Sequence, residues 1–66
     1  MRLKVENMSC QHCVNAVTRA LRALDAKAVV EVDLGKGEVR ASGDFSTEAA
    51  IATLNAADYP AKLIEG

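Results

Sequence analysis

The chain has 66 residues, half of them apolar and 26% charged, and 8 Lys plus Arg against 9 Asp plus Glu leave a net charge of −1. That length suits one small globular domain, 1–66, with no room for a deep active-site cleft, which counts against most enzymes. The near-balance of charge counts against nucleic acid as the main partner, because phosphate binding needs a basic face.

Residues 2–6 alternate, Leu3 and Val5 against Arg2, Lys4 and Glu6, the pattern of a strand with one wet side. Residues 7–12 break the alternation and read as a loop. From about Gln11 the period changes: Val14, Val17, Leu21 and Leu24 recur on one helical stripe, while Gln11, Asn15, Thr18, Arg19 and Arg22 face elsewhere. Asp25 ends that helix. Residues 28–34 alternate again and place Ala28, Val30, Val32 and Leu34 on one face. Gly35-Lys36-Gly37 suits a hairpin, since Gly accepts positive φ. A strand over 38–42 follows, with Val39 and Ala41 inward. Ser46 is a good N-cap and Glu48 a favourable first-turn acid for a helix whose run over 49–57 presents Ala50, Ile51, Leu54 and Ala57. Pro60 stops it by disfavouring helical geometry at Tyr59. Residues 61–65 form a last strand, with Ala61 and Leu63 inward. Aromatics are 3% of the chain, Phe45 and Tyr59, so the core must be aliphatic.

This βαββαβ order predicts an α+β, ferredoxin-like fold: a four-stranded antiparallel sheet with both helices on one face. The other face meets water and carries Lys4, Glu31, Asp33, Glu38, Arg40 and Lys62.

Two cysteines stand out in Met8-Ser9-Cys10-Gln11-His12-Cys13. They are too close to staple distant parts of a fold, so the pair serves chemistry or metal. Cys10 falls in the loop and Cys13 in or near the first helical turn. Free backbone N–H groups and the positive end of the helix dipole stabilise thiolate there. Two thiolates suit a soft d10 ion such as Cu(I), whereas structural zinc wants four ligands. A two-coordinate ion on an exposed loop stays open to a third sulfur, which is the requirement for handing metal on. Dithiol–disulfide exchange is the rival chemistry. Against it, the chain is short for a thioredoxin-like fold, Trp is absent, and the single proline, Pro60, lies after the second helix. Hg(II) binding for sequestration also remains open. Zn(II) is disfavoured, because no carboxylate lies between Met8 and Cys13.

Met8-x-Cys10-x-x-Cys13, between the first strand and first helix of a βαββαβ chain of this size, resembles the heavy-metal-associated domain. That family includes small bacterial copper chaperones and the N-terminal domains of copper-transporting P-type ATPases. The resemblance implies that Cys10 and Cys13 are the metal ligands, that the ion is Cu(I), and that the protein is a carrier and not an enzyme. The implied partner is a heavy-metal-associated domain of a copper-transporting P-type ATPase. Asp58-Tyr59-Pro60 falls where such chaperones often carry a Gly-Tyr pair beside the metal. Asn7 stands where a Gly commonly precedes the Met.

Three neighbours are auxiliary candidates. Met8 offers a thioether to Cu(I), but an apolar residue at a strand end more often packs and anchors the loop. His12 is a candidate third ligand or bridge to a second ion, although adjacent helical residues point about 100° apart. If it ligates, affinity falls with acid. Tyr59 can shield the metal loop, reach a sulfur, or simply cover the end of the core. Arg19 and Arg22, beside Gln11 and Asn15, can steer an acidic docking surface. No apolar run nears the roughly 20 residues of a bilayer span, and the first residues lack a leader's apolar stretch. The expectation is a cytoplasmic protein, where thiols stay reduced. It is expected to be monomeric without metal, with a copper-bridged dimer as the candidate loaded form.

Overall fold

Six elements follow in the expected order: β1 (Arg2–Val5), α1 (Gln11–Leu24), β2 (Val29–Asp33), β3 (Glu38–Ser42), α2 (Thr47–Ala56) and β4 (Ala61–Glu65). They come from a computed structural model that describes residues 1–65. The sheet order is β2-β3-β1-β4. All pairings are antiparallel, with β1 between β3 and β4. This is the ferredoxin-like βαββαβ arrangement. Leu3, Val5, Val39, Ala41 and Ala61 on one sheet face meet Val17 and Leu21 of α1 and Ala50 and Leu54 of α2. The buried core is aliphatic, as the composition requires, and Phe45 and Tyr59 only pack against it. Lys4, Glu31, Asp33, Arg40 and Lys62 are exposed, while Glu38 is half-buried and lies 3.7 Å from Arg2 Nε.

The helix starts differ in kind. Ser46 Oγ accepts the Ala49 N–H at 3.0 Å, so α2 begins at Thr47, ahead of the apolar run that marks it in the sequence. At α1 the capping residue is Cys10, extended at φ −157° and ψ 178°, with no side-chain cap bond. Its sulfur is left free for other work.

Four residues expected inward are exposed: Leu24, Leu34, Ala57 and Leu63. Each lies at an element's end or on an edge strand, where periodicity continues but no neighbour covers the side chain. Leu63 pairs with Leu3 and yet is 50% exposed, because β4 is the sheet's edge. Val14, Val30, Val32 and Ile51 are half-buried. In β4, Leu63 opposes Leu3 while Glu65 opposes Arg2, so Ile64 is the extra residue of a bulge. Strict alternation would aim Glu65 with Leu63. The bulge instead brings its carboxylate 3.9 Å from Arg2 Nε.

The β2–β3 hairpin needs one left-handed residue, Gly37, at φ 65°. Its carbonyl accepts the Val5 N–H at 2.8 Å, which sets the hairpin beside the end of β1. The Lys4 ammonium closes the same corner on the Lys36 carbonyl. At the opposite end, Asp25 follows α1. Its two carboxylate oxygens accept the Lys27 N–H at 3.0 Å and the Asp44 N–H at 2.9 Å. Those donors, Asp44 first, hold its carboxyl below the ordinary value of 3.8.

Candidate metal centre

The first turn of α1 closes on Cys10. Its carbonyl accepts the Cys13 N–H at 3.0 Å and the Val14 N–H at 3.3 Å. Residues three apart on a helix share a face, so the turn sets the two cysteine side chains together. Both are free thiols, Cys10 exposed and Cys13 half-buried. The Cys10 side chain lies within hydrogen-bonding reach of the Cys13 sulfur.

Cys13 is primed as thiolate. The Ser9 backbone N–H acts most strongly on it, followed by the Tyr59 hydroxyl, the Cys10 backbone N–H and the Cys10 side chain. Together they outweigh desolvation and lower its pKa from 9.0 to about 7. In the protonated form the thiol donates to the Asn7 carbonyl at 3.5 Å. Tyr59 shows the reciprocal effect: the nearby Cys13 sulfur, partial burial and the surrounding negative charge raise its pKa above 10.0.

Tyr59 arrives from the loop between α2 and β4. That loop turns on Asp58, left-handed at φ 68°, with the Asp58 N–H on Asn55 O at 3.1 Å and the Tyr59 N–H on Leu54 O at 2.9 Å. Asn55 Oδ1 also accepts the Ala61 N–H at 3.1 Å. Two bonds join this loop to the cysteine loop: Glu6 N–H to Pro60 O at 2.9 Å, and Asn7 Nδ2 to Asp58 O at 3.1 Å.

The candidates divide accordingly. Cys10, Cys13 and Tyr59 come together. Met8 is half-buried and packs against the core. His12 is exposed. Among the described residues, no three His, Cys, Asp or Glu side chains gather where they could hold one ion, so His12 is not assembled with the cysteine pair. Gln11 and Asn15 lie near the start of α1 and share a bond of 3.4 Å. Arg19 and Arg22 lie farther along, about 13 and 18 Å from Cys10 at 1.5 Å per residue. Arg22 Nε donates to Ala28 O at 3.4 Å, at the far end of the molecule. These arginines do not border the cysteine loop.

Sequence reasoning missed the Ser9 N–H and the Asn7–Asp58 bridge. A signal for the bridge was available. Asn and Asp are the side chains that most readily take left-handed backbone, and Asn7 at φ 69° and Asp58 at φ 68° both sit in loops where the resemblance expects glycine.

The described helices include none long and apolar enough to cross a membrane. A sequence profile for the heavy-metal-associated domain matches residues 2–60. The chain is 50% identical over 42 residues to the copper chaperones CopZ of Staphylococcus haemolyticus and Bacillus subtilis. The match covers 64% of this chain and 62% and 61% of theirs, so it spans less than two thirds of each relative. The solved structure of the copper chaperone Atx1 from Synechocystis PCC6803, in a trimeric Cu1 form, superposes with a TM-score of 0.90 at 31% identity, covering 94% of this chain and 98% of that one. With the profile running through the cysteine loop and on to Pro60, this chain belongs to the heavy-metal-associated domain family.

Proposed function

We propose that the protein is a cytoplasmic copper chaperone, a carrier and not an enzyme, that holds one Cu(I) between Cys10 and Cys13. It passes the ion by ligand exchange to a heavy-metal-associated domain of a copper-transporting P-type ATPase. The observation that carries this reading is the asymmetry of the pair. Cys13 is half-buried and drawn toward thiolate near neutral pH, while Cys10 is exposed at the helix cap with no capping bond from its side chain. A soft, singly charged d10 ion fits two sulfurs, whereas Zn(II) would require further donors that do not gather here among the described residues.

Exchange needs no change of oxidation state. A thiol of the acceptor loses its proton and adds its sulfur to the ion, making three Cu–S bonds. The Cys10–Cu bond then breaks, and the departing sulfur takes up a proton. A second exchange releases Cys13. The metal stays Cu(I) throughout. In this reading the protein is a monomer without metal, and His12 lies outside the ligand set.

A competition titration of Cu(I), Zn(II) and Hg(II) tests the proposal. Cu(I) is expected to bind at one equivalent per chain and to outcompete Zn(II). Cys10→Ser and Cys13→Ser should each lose affinity by orders of magnitude, with the melting temperature nearly unchanged. Loaded protein mixed with the metal-binding domain of such an ATPase should give up its copper, visible as shifts in the amide spectrum of both partners. Absence of stoichiometric Cu(I) binding, or disulfide reductase turnover by the same thiols, overturns the reading. A preference for Hg(II) with no transfer would make the protein a sequestering one.

A further inference from the structure

We infer that Asn7 is a positioning residue: its side chain holds the Tyr59 loop against the cysteine pair and so slows release of the bound ion. The release half of this inference rests on the two-cysteine carrier reading above; the positioning half rests on geometry alone.

The β1–β4 ladder ends where the Glu6 N–H meets Pro60 O at 2.9 Å. Beyond that bond the two strands part, one toward Cys10 and the other back toward α2. Asn7 spans the gap. Its Nδ2 donates to the carbonyl of Asp58, 51 residues away in sequence, at 3.1 Å. That carbonyl belongs to the peptide leading into Tyr59, so the bond fixes the plane from which the tyrosine emerges. On its other side, Asn7 presents its own carbonyl to Cys13 Sγ at 3.5 Å. The Tyr59 hydroxyl lies near enough to that sulfur to lower the Cys13 pKa.

A glycine at position 7 could adopt φ 69° more easily, but it would have no amide to reach across. The bridge is therefore a property of asparagine and not of the loop's backbone. Aspartate tolerates the same backbone, but it sets an acceptor against the Asp58 carbonyl. With the bridge in place, Tyr59 covers one side of Cys13 and keeps its hydroxyl near the sulfur. Without it, that side is open to an incoming ligand and the sulfur loses a nearby donor. A hydrogen bond of ordinary net strength corresponds to a several-fold change in rate.

Two measurements on the full chain decide the matter. In stopped flow, copper-loaded protein is mixed with an excess of a Cu(I) chelator. Asn7→Gly and Tyr59→Phe should each release the ion about three- to tenfold faster than wild type. In a Tyr59→Ala background, where both the ring and the donor are gone, Asn7→Gly should release the ion no faster than Tyr59→Ala alone, because Asn7 acts through the tyrosine. Unchanged release by Asn7→Gly, or an effect of Asn7→Gly that persists in that background, overturns the inference. In metal-free protein, a nuclear Overhauser contact between the Tyr59 ring and the Cys13 β-protons should be present in wild type and lost in Asn7→Gly and Asn7→Asp. Its persistence in both variants overturns the positioning role whatever the copper result. If wild type fails to hold Cu(I), the carrier reading falls and this contact alone decides the placement of Tyr59 by Asn7.

Discussion

At the end of the molecule far from the cysteines, three side chains crowd an exposed glycine. A Cβ at Gly43 would lie 2.6 Å from Phe45 Cε2, 3.0 Å from Asp25 Oδ2 and 3.2 Å from the Ala28 Cβ. At the cysteine end, two non-glycine residues sit in left-handed backbone and an exposed thiol caps the helix. The loops there are tied by an amide side chain, one backbone bond and contacts to sulfur. The first region combines close packing with the Asp25 hydrogen bonds, and the second is joined mainly by polar bonds. Close packing tolerates no movement, whereas single hydrogen bonds of modest net strength can open and reform. For the carrier proposed above, a site that admits an incoming ligand and lets an ion go is better built the second way.

The largest expected stability effect comes from filling the tight end. Gly43→Ala forces Phe45 or Asp25 to shift, and overpacking of this kind costs about 2 kcal/mol. In a domain of this size that lowers the melting temperature by roughly 10 °C. Cu(I) affinity should stay at the wild-type value. Calorimetry and a chelator titration on the same variant check both halves, and a fall in copper affinity in step with the melting temperature would mean the two ends are not independent.

A smaller, pH-dependent effect is expected at Asp25. Its folded-state pKa is depressed below 3.8 by the Asp44 and Lys27 N–H groups. A depressed carboxyl contributes stability above its unfolded pKa, and that contribution is lost as pH falls through the folded value. Asp25→Asn should thus unfold at lower urea than wild type at pH 6, with the gap closing below about pH 3.8. Urea midpoints measured across that range test the sign. A gap that is constant with pH would show that the bonds matter but the charge does not.

How far the sequence foretold these two ends follows from what each depends on. The strands, the helices and the Cys10–Cys13 turn rest on patterns within a few residues, and their order agrees with the structure. Ser46 as the cap of α2 is equally local, and its hydroxyl makes the expected bond. What could not be read depends on how distant segments are set against each other. The Ile64 bulge is a matter of register with β1, and nothing in Ala61–Glu65 alone marks it. Exposure of Leu24, Leu34, Ala57 and Leu63 depends on where neighbouring elements end, which periodicity does not report. The sequence makes Tyr59 a candidate to reach a sulfur, and the sheet brings it near Cys13 by placing β4 beside β1. The Asn7–Asp58 bridge crosses 51 residues of sequence. The residue types hint at the two left-handed turns, but not that the side chain of one reaches the other.

The least effect on stability, and the sharpest chemical one, is expected at Tyr59. Cys13 titrates at about 7 in the folded chain against an ordinary 9.0. Its alkylation rate in metal-free protein, followed by mass spectrometry, should therefore reach half its maximum near pH 7, and near pH 9 once urea unfolds the chain. Removing the phenol in Tyr59→Phe takes away one donor but leaves the Ser9 N–H, the largest contributor, so the midpoint should rise only part of the way back. The sign for stability follows from the same shift. The thiolate favours the folded state above pH 9, and this contribution fades as pH drops to about 7. Solvent screens it at the protein's rim, so Tyr59→Phe should melt close to wild type at pH 7. A melting loss as large as that of Gly43→Ala would show that the tyrosine is holding the core shut, and that polar bonds alone do not close the cysteine end.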